Sequence, residues 1–479
     1  MLSLLRLGFC AWRAAGQSIT GDEAITFRRY VDGPWASLWS AYDANNYILH
    51  SIMAKLSVAA LGPSELSLRL PSLIAGFFFV LGAFFVLRET ASRVARWTVW
   101  LALALHPLLL DLSVAARGYS LGLALFTWAL YFVLRRRYRP AGALLGLAAA
   151  ATLTIAVPAA GLVCVVFFLE EGPAKSRARA AAEVAIPFAA LFLALAYLPL
   201  RTATKETFYA GYGSFGRLVE MLVSSSVRAR PDTGGLFGTR RVMEIVQFLF
   251  LPAVALYIGG AAAWDFRGAA RRHVAALTLA LTAGGLFAAH WILGLKYPPD
   301  RAALYLIVLF ALAWAAAMSV PRDRLQLGAN ATLVSLLIVQ FLTQMHAGYF
   351  QYWRFDMHTK RIARILRERT AGAPEGTVSI AATWLNREAL EFYRSYYHIR
   401  ALQPVKPLPQ ETLCGFDYYL LSQRDVGRVE ASGLQVLFAD PLAPVALAAE
   451  PSATRPRQQM PGRPSRDRPS GPRTRSRLR

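Results

Sequence analysis

The sequence predicts a mainly α, polytopic α-helical membrane protein that ends in a small α/β domain. Three observations predict it. Of 479 residues, 55% are hydrophobic and only 17% charged, too apolar a balance for a soluble chain of this length. Mean hydropathy is +0.36. The apolar residues gather into runs of roughly 20, the length a membrane span needs, separated by short arginine-rich loops. Beyond residue 345 the pattern changes to strand, amphipathic helix and strand, the order of a small α/β unit. The formal charge of +23 is uneven: nine arginines against one aspartate fall in 451–479, and most of the remainder sits in the short loops. That distribution fits membrane topology signals better than a nucleic-acid surface.

The elements follow in order. Residues 1–16 are apolar but interrupted by Arg6 and Arg13, and they lack both the length of a span and the small-residue cleavage site of a signal peptide. They read as an incomplete first span whose beginning lies upstream. Residues 20–69 form the first outer loop, and 47–61, apolar but carrying His50 and Lys55, suit a helix lying in the interface. Spans are expected at 70–87, 97–112, 120–134, 184–200, 242–264, 274–293, 302–320 and 325–345. The run 141–169 is expected to cross twice, broken near Pro158.

Arginine and lysine in short loops set the orientation. One side holds Arg88, Arg93 and Arg96, then Arg135, Arg136, Arg137 and Arg139, then Lys175, Arg177 and Arg179, then Arg267, Arg271 and Arg272, and finally Arg322 and Arg324. The short turns on the other side hold only Arg117, Lys296 and Arg301. This gives about eleven crossings if the N-terminal stub counts as one, with the first loop and the C-terminal region outside the cytoplasm. The chain then divides into a membrane module at 1–345, an α/β domain at 346–450 and a basic tail at 451–479 expected to be disordered. In the α/β domain, strands are expected at 377–382, 418–421 and 434–438 and a helix at 386–397. Cys10, Cys164 and Cys414 stand at no metal-ligand spacing.

The polar residues of the outer side are the candidates for chemistry. Asp22, Glu23, Asp32, Asp43, Asn45, Asn46 and His50 crowd the first loop. Arg69 starts a span, Arg117 and Tyr119 share a turn, and Lys296, Tyr297, Asp300 and Arg301 share another. Carboxylates on one loop facing cations on others suit an anionic substrate that exchanges a proton, since guanidinium and ammonium groups hold phosphate while a carboxylate serves as base. Taken singly, each has a plainer reading: arginines at helix ends snorkel, Tyr297 anchors at the interface, Asn45 and Asn46 cap a helix, and Asp300 pairs with Arg301.

Asp22-Glu23-Ala24 after a first span, then Asn45-Asn46-Tyr47-Ile48-Leu49-His50, then Glu65-Leu66-Ser67-Leu68-Arg69-Leu70-Pro71-Ser72 resemble the C-type (GT-C) glycosyltransferase superfamily. Ala116-Arg117-Gly118-Tyr119-Ser120 and Tyr297-Pro298-Pro299-Asp300-Arg301 add to the resemblance, which points to bacterial proteins similar to protein O-mannosyltransferases and aminoarabinose transferases. The resemblance implies transfer of a sugar from a polyprenyl-phosphate carrier to an extracytoplasmic hydroxyl of a lipid, glycan or protein, with inversion. It implies Asp22 as general base with Glu23 beside it, and Arg117, Lys296 and Arg301 on the carrier phosphate. Asn45, Asn46, His50, Arg69, Tyr119 and Tyr297 complete the expected substrate site. Tyr47 stands where the family pattern has a histidine. A divalent cation shared by Asp22, Glu23 and Asp43 stays open, since some branches of the superfamily work without one. A lipid or solute transporter would instead place ionisable groups at mid-span and show an internal repeat, and neither is present in the sequence. An inactive relative serving assembly is the other alternative.

Overall fold

The computed structural model describes residues 1–204, 210–228, 230, 240–320, 324–410, 412–422, 425–440 and 442–451. Arg322 and the basic tail from residue 452 onward lie outside the described residues.

Helix α1 (Leu2–Gly16) turns both of its arginines inward. Arg6 donates to the carbonyls of Gly76, Ala104 and Leu109 and to Ser113 Oγ, while Arg13 pairs with buried Asp111 at 2.5 Å. The two charges that interrupt the apolar run are therefore fixed partners of the surrounding helices. Two short elements follow, α2 (Gly21–Thr26) and, after an irregular loop, α3 (Ile48–Leu61).

Helix α4 (Glu65–Thr90) opens on a capping box in which Ser64 and Ser67 satisfy each other's backbone N–H. Pro71 lies inside α4 and deprives the Ser67 carbonyl of its helical donor. The Ser57 hydroxyl of α3 takes that carbonyl instead at 2.7 Å, tying α3 across α4. Next come α5 (Arg93–Leu105) and α6 (Pro107–Val114), bent by 51° at a His106–Pro107 junction. Then follow α7 (Tyr119–Leu134), α8 (Tyr138–Ala151) and α9 (Ala156–Leu169).

The break between α8 and α9 is at Thr152, which is extended at φ −150° and ψ 102°, and not at Pro158. Pro158 sits in the first turn of α9, where a backbone N–H has no helical acceptor and proline loses nothing. Helix α10 (Ala174–Leu200) packs against α8 and α9. Helices α11 (Phe215–Val227), α12 (Arg240–Ile245), α13 (Leu251–Ala269), α14 (Val274–Leu293), α15 (Leu304–Ala317) and α16 (Arg324–Gln344) complete the bundle, with a π-helical turn joining α12 to α13.

Among the described residues, five helical segments are long and apolar enough to cross a membrane: α4, α10, the continuous α12–α13, α14 and α16. The bent pair α5 and α6 makes a sixth, with α7, α9 and α15 as shorter apolar helices. Contacts across the bundle sort the connections into two ends. At one end Ser92 N–H donates to Ser319 Oγ (2.7 Å), Arg135 pairs with Glu89 (3.4 Å) and Arg271 pairs with Glu170 (2.8 Å). At the other, Arg117 reaches Asn45, Tyr212 exchanges backbone hydrogen bonds with Tyr297, and Gly21 N–H donates to Asp356.

After α16 the chain forms α17 (Thr359–Arg369), β1 (Ile380–Ala382), α18 (Trp384–Tyr396), β2 (Lys406–Pro407), β3 (Tyr418–Ser422), α19 (Val426–Ala431), β4 (Gln435–Ala439) and β5 (Val445–Ala449). The sheet order is β2-β1-β3-β5-β4, parallel through β2-β1-β3 and antiparallel beyond. Two strands exceed the three that periodicity predicts. β5, read VALAA, is buried on both faces and shows no alternation to betray it. The expected strand at 377–382 shortens to β1, because Ser379 spends its N–H and hydroxyl on Asp417.

Candidate active site

Helix α2 is only six residues long, so local bonds must hold it. Thr20 caps it: its hydroxyl accepts from Glu23 N–H at 3.2 Å, and Glu23 Oε2 accepts from Thr20 N–H at 2.9 Å. The same carboxylate meets Arg69 side-on, Oε1 to Nε at 2.9 Å and Oε2 to Nη2 at 2.7 Å, and Oε1 also accepts from Ala116 N–H at 2.6 Å. The remaining N–H groups of Arg69 go to the carbonyls of Ala14, Gln17 and Ser18. Both side chains are 0% exposed. Glu23 has no lone pair and Arg69 no N–H left for a substrate, so this pair joins α1, α2, α4 and the turn before α7.

From the other side Asp356, itself buried, accepts Gly21 N–H at 2.7 Å and Asn386 Nδ2 at 3.1 Å. Burial pushes the Asp356 carboxyl well above the usual carboxylate range, against the pull of the Gly21 N–H. The first turn of α18 thus rests on the first turn of α2, close enough that a Cβ at Gly21 would stand 3.0 Å from the Leu385 carbonyl.

Asp22, between these two anchors, keeps 27% of its side chain exposed while its neighbour Glu23 has none. Arg117 Nη2 lies 3.6 Å from Asp22 Oδ2. Arg117 is itself held by Asn45 Oδ1 (2.8 Å), the Ala44 carbonyl (3.2 Å) and the Tyr47 hydroxyl (3.4 Å), with its guanidinium 4.6 Å over the Tyr47 ring. Burial works against this charge, but Tyr47 and Asp22 outweigh burial and raise Arg117 above the ordinary guanidinium range. Tyr47 donates on to Tyr119 at 2.6 Å. Gly118 is required beneath this stack, since a Cβ there would fall 1.9 Å from the Ala151 carbonyl and 2.6 Å from Tyr47 Cδ1.

Arg301 faces the same groups. Burial opposes its charge, while Tyr119, Tyr47 and Asp22 raise it and Arg117 lowers it, which places all five in one electrostatic neighbourhood. Its guanidinium stacks 5.6 Å from Tyr352 and 5.5 Å from Trp353. Among the described residues that guanidinium has no hydrogen bond or ion pair. Asp300 does not pair with it: the carboxylate accepts from Ser225 Oγ (2.6 Å), Tyr212 (3.3 Å) and Tyr352, so Asp300 reaches Arg301 only through the backbone and the Tyr352 ring.

The other expected members lie apart from this point. Lys296 is exposed beside Gly211, and buried Tyr297 is tied to Tyr212 and stacked on His290 at 4.6 Å. His50 is buried with Nε2 2.9 Å from Ser72 Oγ, and Ser72 Oγ lies 3.1 Å from the Arg117 carbonyl. It supports Arg117 from behind. Asn46 Nδ2 donates to the Leu38 carbonyl at 2.9 Å and folds the loop on itself. Of the three carboxylates that could share a cation, Glu23 is taken up by Arg69 and two backbone N–H groups, and Asp43 accepts from Arg29, Tyr30 and Asn45 N–H. Among the described residues no three His, Cys, Asp or Glu side chains converge as ligands.

No protein-family model and no curated protein sequence matches the chain. Its architecture is similar to that of ArnT from Cupriavidus metallidurans. The apo crystal structure superimposes with a TM-score of 0.55 at 12% identity, covering 95% of this chain and 98% of that one. The structure bound to undecaprenyl phosphate gives 0.54 at 13% identity over the same shares. The chain has the GT-C fold.

Within the GT-C fold, the residues that sequence reading overlooked come from the segment after α16. Tyr352 and Trp353 back Arg301, and Asp356 and Asn386 hold α2. The dense aromatic run Tyr349-Phe350-Gln351-Tyr352-Trp353 at the exit from the last span was a usable signal for the first pair. Nothing local marks Asp356 or Asn386.

Proposed function

We propose that this chain is a membrane glycosyltransferase that moves a sugar from a polyprenyl-phosphate carrier to an acceptor hydroxyl on the extracytoplasmic side. The observation that carries the proposal is the Arg301 guanidinium, stacked on Tyr352 and Trp353 and without a hydrogen bond or ion pair among the described residues, in the same electrostatic neighbourhood as Arg117 and the partly exposed carboxylate of Asp22. ArnT of the same fold has been crystallised with undecaprenyl phosphate, and that chemistry is carried over here.

Asp22 takes the proton of the acceptor hydroxyl. The hydroxyl oxygen forms its bond to the anomeric carbon as the bond from that carbon to the phosphate oxygen breaks, and the electron pair leaves with the phosphate. Attack opposite the leaving group inverts the centre. Arg301 receives the phosphate, its fork free for two oxygens. Arg117, already spent on Asn45 and Ala44, orients Asp22 and adds its charge to the phosphate side. Tyr119, hydrogen-bonded to Tyr47, borders this region. Because the leaving group is a phosphate, positioning and charge stabilisation are the protein's main tasks. Glu23, Arg69, His50 and Asp356 hold the geometry and do not touch substrate.

The test is transfer from a synthetic polyprenyl-phosphate sugar by purified protein in detergent. Asp22→Asn should abolish it while membrane insertion stays normal, and NMR of the wild-type product should show the inverted anomer. Full turnover by Asp22→Asn would remove Asp22 as base, and a retained configuration would rule out direct displacement.

A further inference from the structure

The loop between α2 and α3 lines an open cavity of about 550 Å³ that the reaction above does not use. Its wall includes Arg29, Tyr30, Ser37, Tyr42, Asp43 and Asn45. The volume lies in the range of small-molecule sites.

The lining defines the ligand class. Arg29 Nη1 lies 2.9 Å from Asp43 Oδ2, and the Tyr30 hydroxyl donates to the same oxygen at 2.7 Å. The two charges cancel, and a carboxylate in the wall turns away phosphate. Hydroxyl, amide and phenol groups around the cavity suit a ligand dense in hydroxyls, and the tyrosine rings suit the C–H faces of a sugar. An acyl chain would strand these polar groups.

Location supplies the connection. Asn45, on the cavity wall, accepts from Arg117, and Arg117 is the ion-pair partner of Asp22. Thr26 fastens the two segments together, its hydroxyl donating to the carbonyls of Asp22 (3.0 Å) and Asn45 (2.8 Å). The cavity wall therefore stands one residue, Asn45, from the Asp22–Arg117 pair, and neither Tyr352 nor Trp353 lines it.

We propose that this cavity is the acceptor subsite and that the acceptor is a carbohydrate, so that the transferred sugar joins a glycan hydroxyl. The proposal rests on Asp22 acting as the base. The experiment measures binding of methyl α-glucoside, methyl α-mannoside and methyl β-galactoside to the full chain in nanodiscs free of glycoside detergent, by saturation-transfer NMR. Ala41→Trp and Ser37→Trp place an indole in the cavity. At least one glycoside should bind the wild type, and both variants should weaken it tenfold or more. Undecaprenyl phosphate binding, measured on the same samples, should stay within twofold and so report that the variants are folded. No glycoside binding to the wild type, or equal binding to both folded variants, would overturn the assignment. So would a serine- and threonine-containing peptide displaced by the indoles where glycosides are not. If undecaprenyl phosphate fails to bind the wild type while the indoles still displace a glycoside, the donor reading fails and the sugar site stands.

Discussion

Adjacent carboxylates with opposite phenotypes provide the sharpest test of the site. Glu23→Gln keeps the shape of the side chain but replaces one acceptor oxygen by an NH2 group. On the Oε1 side that group would face Arg69 Nε and Ala116 N–H; on the Oε2 side it would face Arg69 Nη2 and Thr20 N–H. Either orientation sets donor against donor twice and leaves a buried guanidinium without its counter-charge. Breaking a buried ion pair by removing one partner costs about 3–5 kcal/mol. For a chain of this length the unfolding entropy is on the order of 1 kcal/mol/K, so Tm should fall by roughly 3–5 °C. Arg69→Lys should fall comparably, because one ammonium cannot replace five N–H groups. Asp22→Asn touches only the partly exposed 3.6 Å contact with Arg117, a contact worth about 0–1 kcal/mol after solvent screening. Its Tm should move by about 1 °C or less while transfer disappears. The assay pairs detergent thermal unfolding, followed by size-exclusion fluorescence, with sugar transfer on the same preparations. A Glu23→Gln protein with wild-type Tm would refute the saturated-carboxylate account of how α2 is held.

Three further outcomes are expected. Arg301→Ala should weaken undecaprenyl phosphate binding about tenfold to a hundredfold, since a charge-assisted contact contributes about 1.5–3 kcal/mol, and Arg301→Lys should recover only part of that; lipid titration of both variants checks it. Burial, with Arg117 nearby, lowers the His50 pKa to about 3, so the imidazole is neutral in the folded chain. A depressed folded pKa means the unfolded chain binds the extra proton, so this contribution is complete above about pH 6.5 and lost at about 1.4 kcal/mol per pH unit below it. His50→Gln should therefore flatten the fall of Tm between pH 6.5 and 4.5, and parallel curves for the two proteins would reject the assignment. Reporter fusions after Arg139 and after Gly348 should score cytoplasmic and extracytoplasmic respectively, and matching signals would mean an odd error in the count of crossings.

What the sequence by itself determined is the part governed by local and periodic physics. Apolar runs of span length and basic short loops specified a polytopic helical bundle, and they offered the polar groups of the outer loops as candidates without saying which of them meet. The order of Asp22, Asn45, Arg69, Arg117 and Arg301 was enough to recognise the fold. Local chemistry also explains a misreading. Pro158 looked like a helix breaker, yet a first-turn proline is harmless, and the chain breaks at Thr152. Tertiary structure alone decided which charged groups are spent and which are open. Glu23 and Asp22 are neighbours with the same functional group, but only Glu23 points at Arg69 and two backbone N–H groups. Arg69 and Arg301 are the same residue type, yet one is saturated by Glu23 and carbonyls of the α1 exit while the other stacks on aromatic rings, its fork without a hydrogen bond or ion pair among the described residues. A hydrogen bond is settled within about 3 Å, and the residues that settle these lie tens to hundreds of positions away in the chain. The anchoring of α2 by Asp356 is such a contact. Its physical basis is the packing of α18 onto α2, which no local pattern encodes.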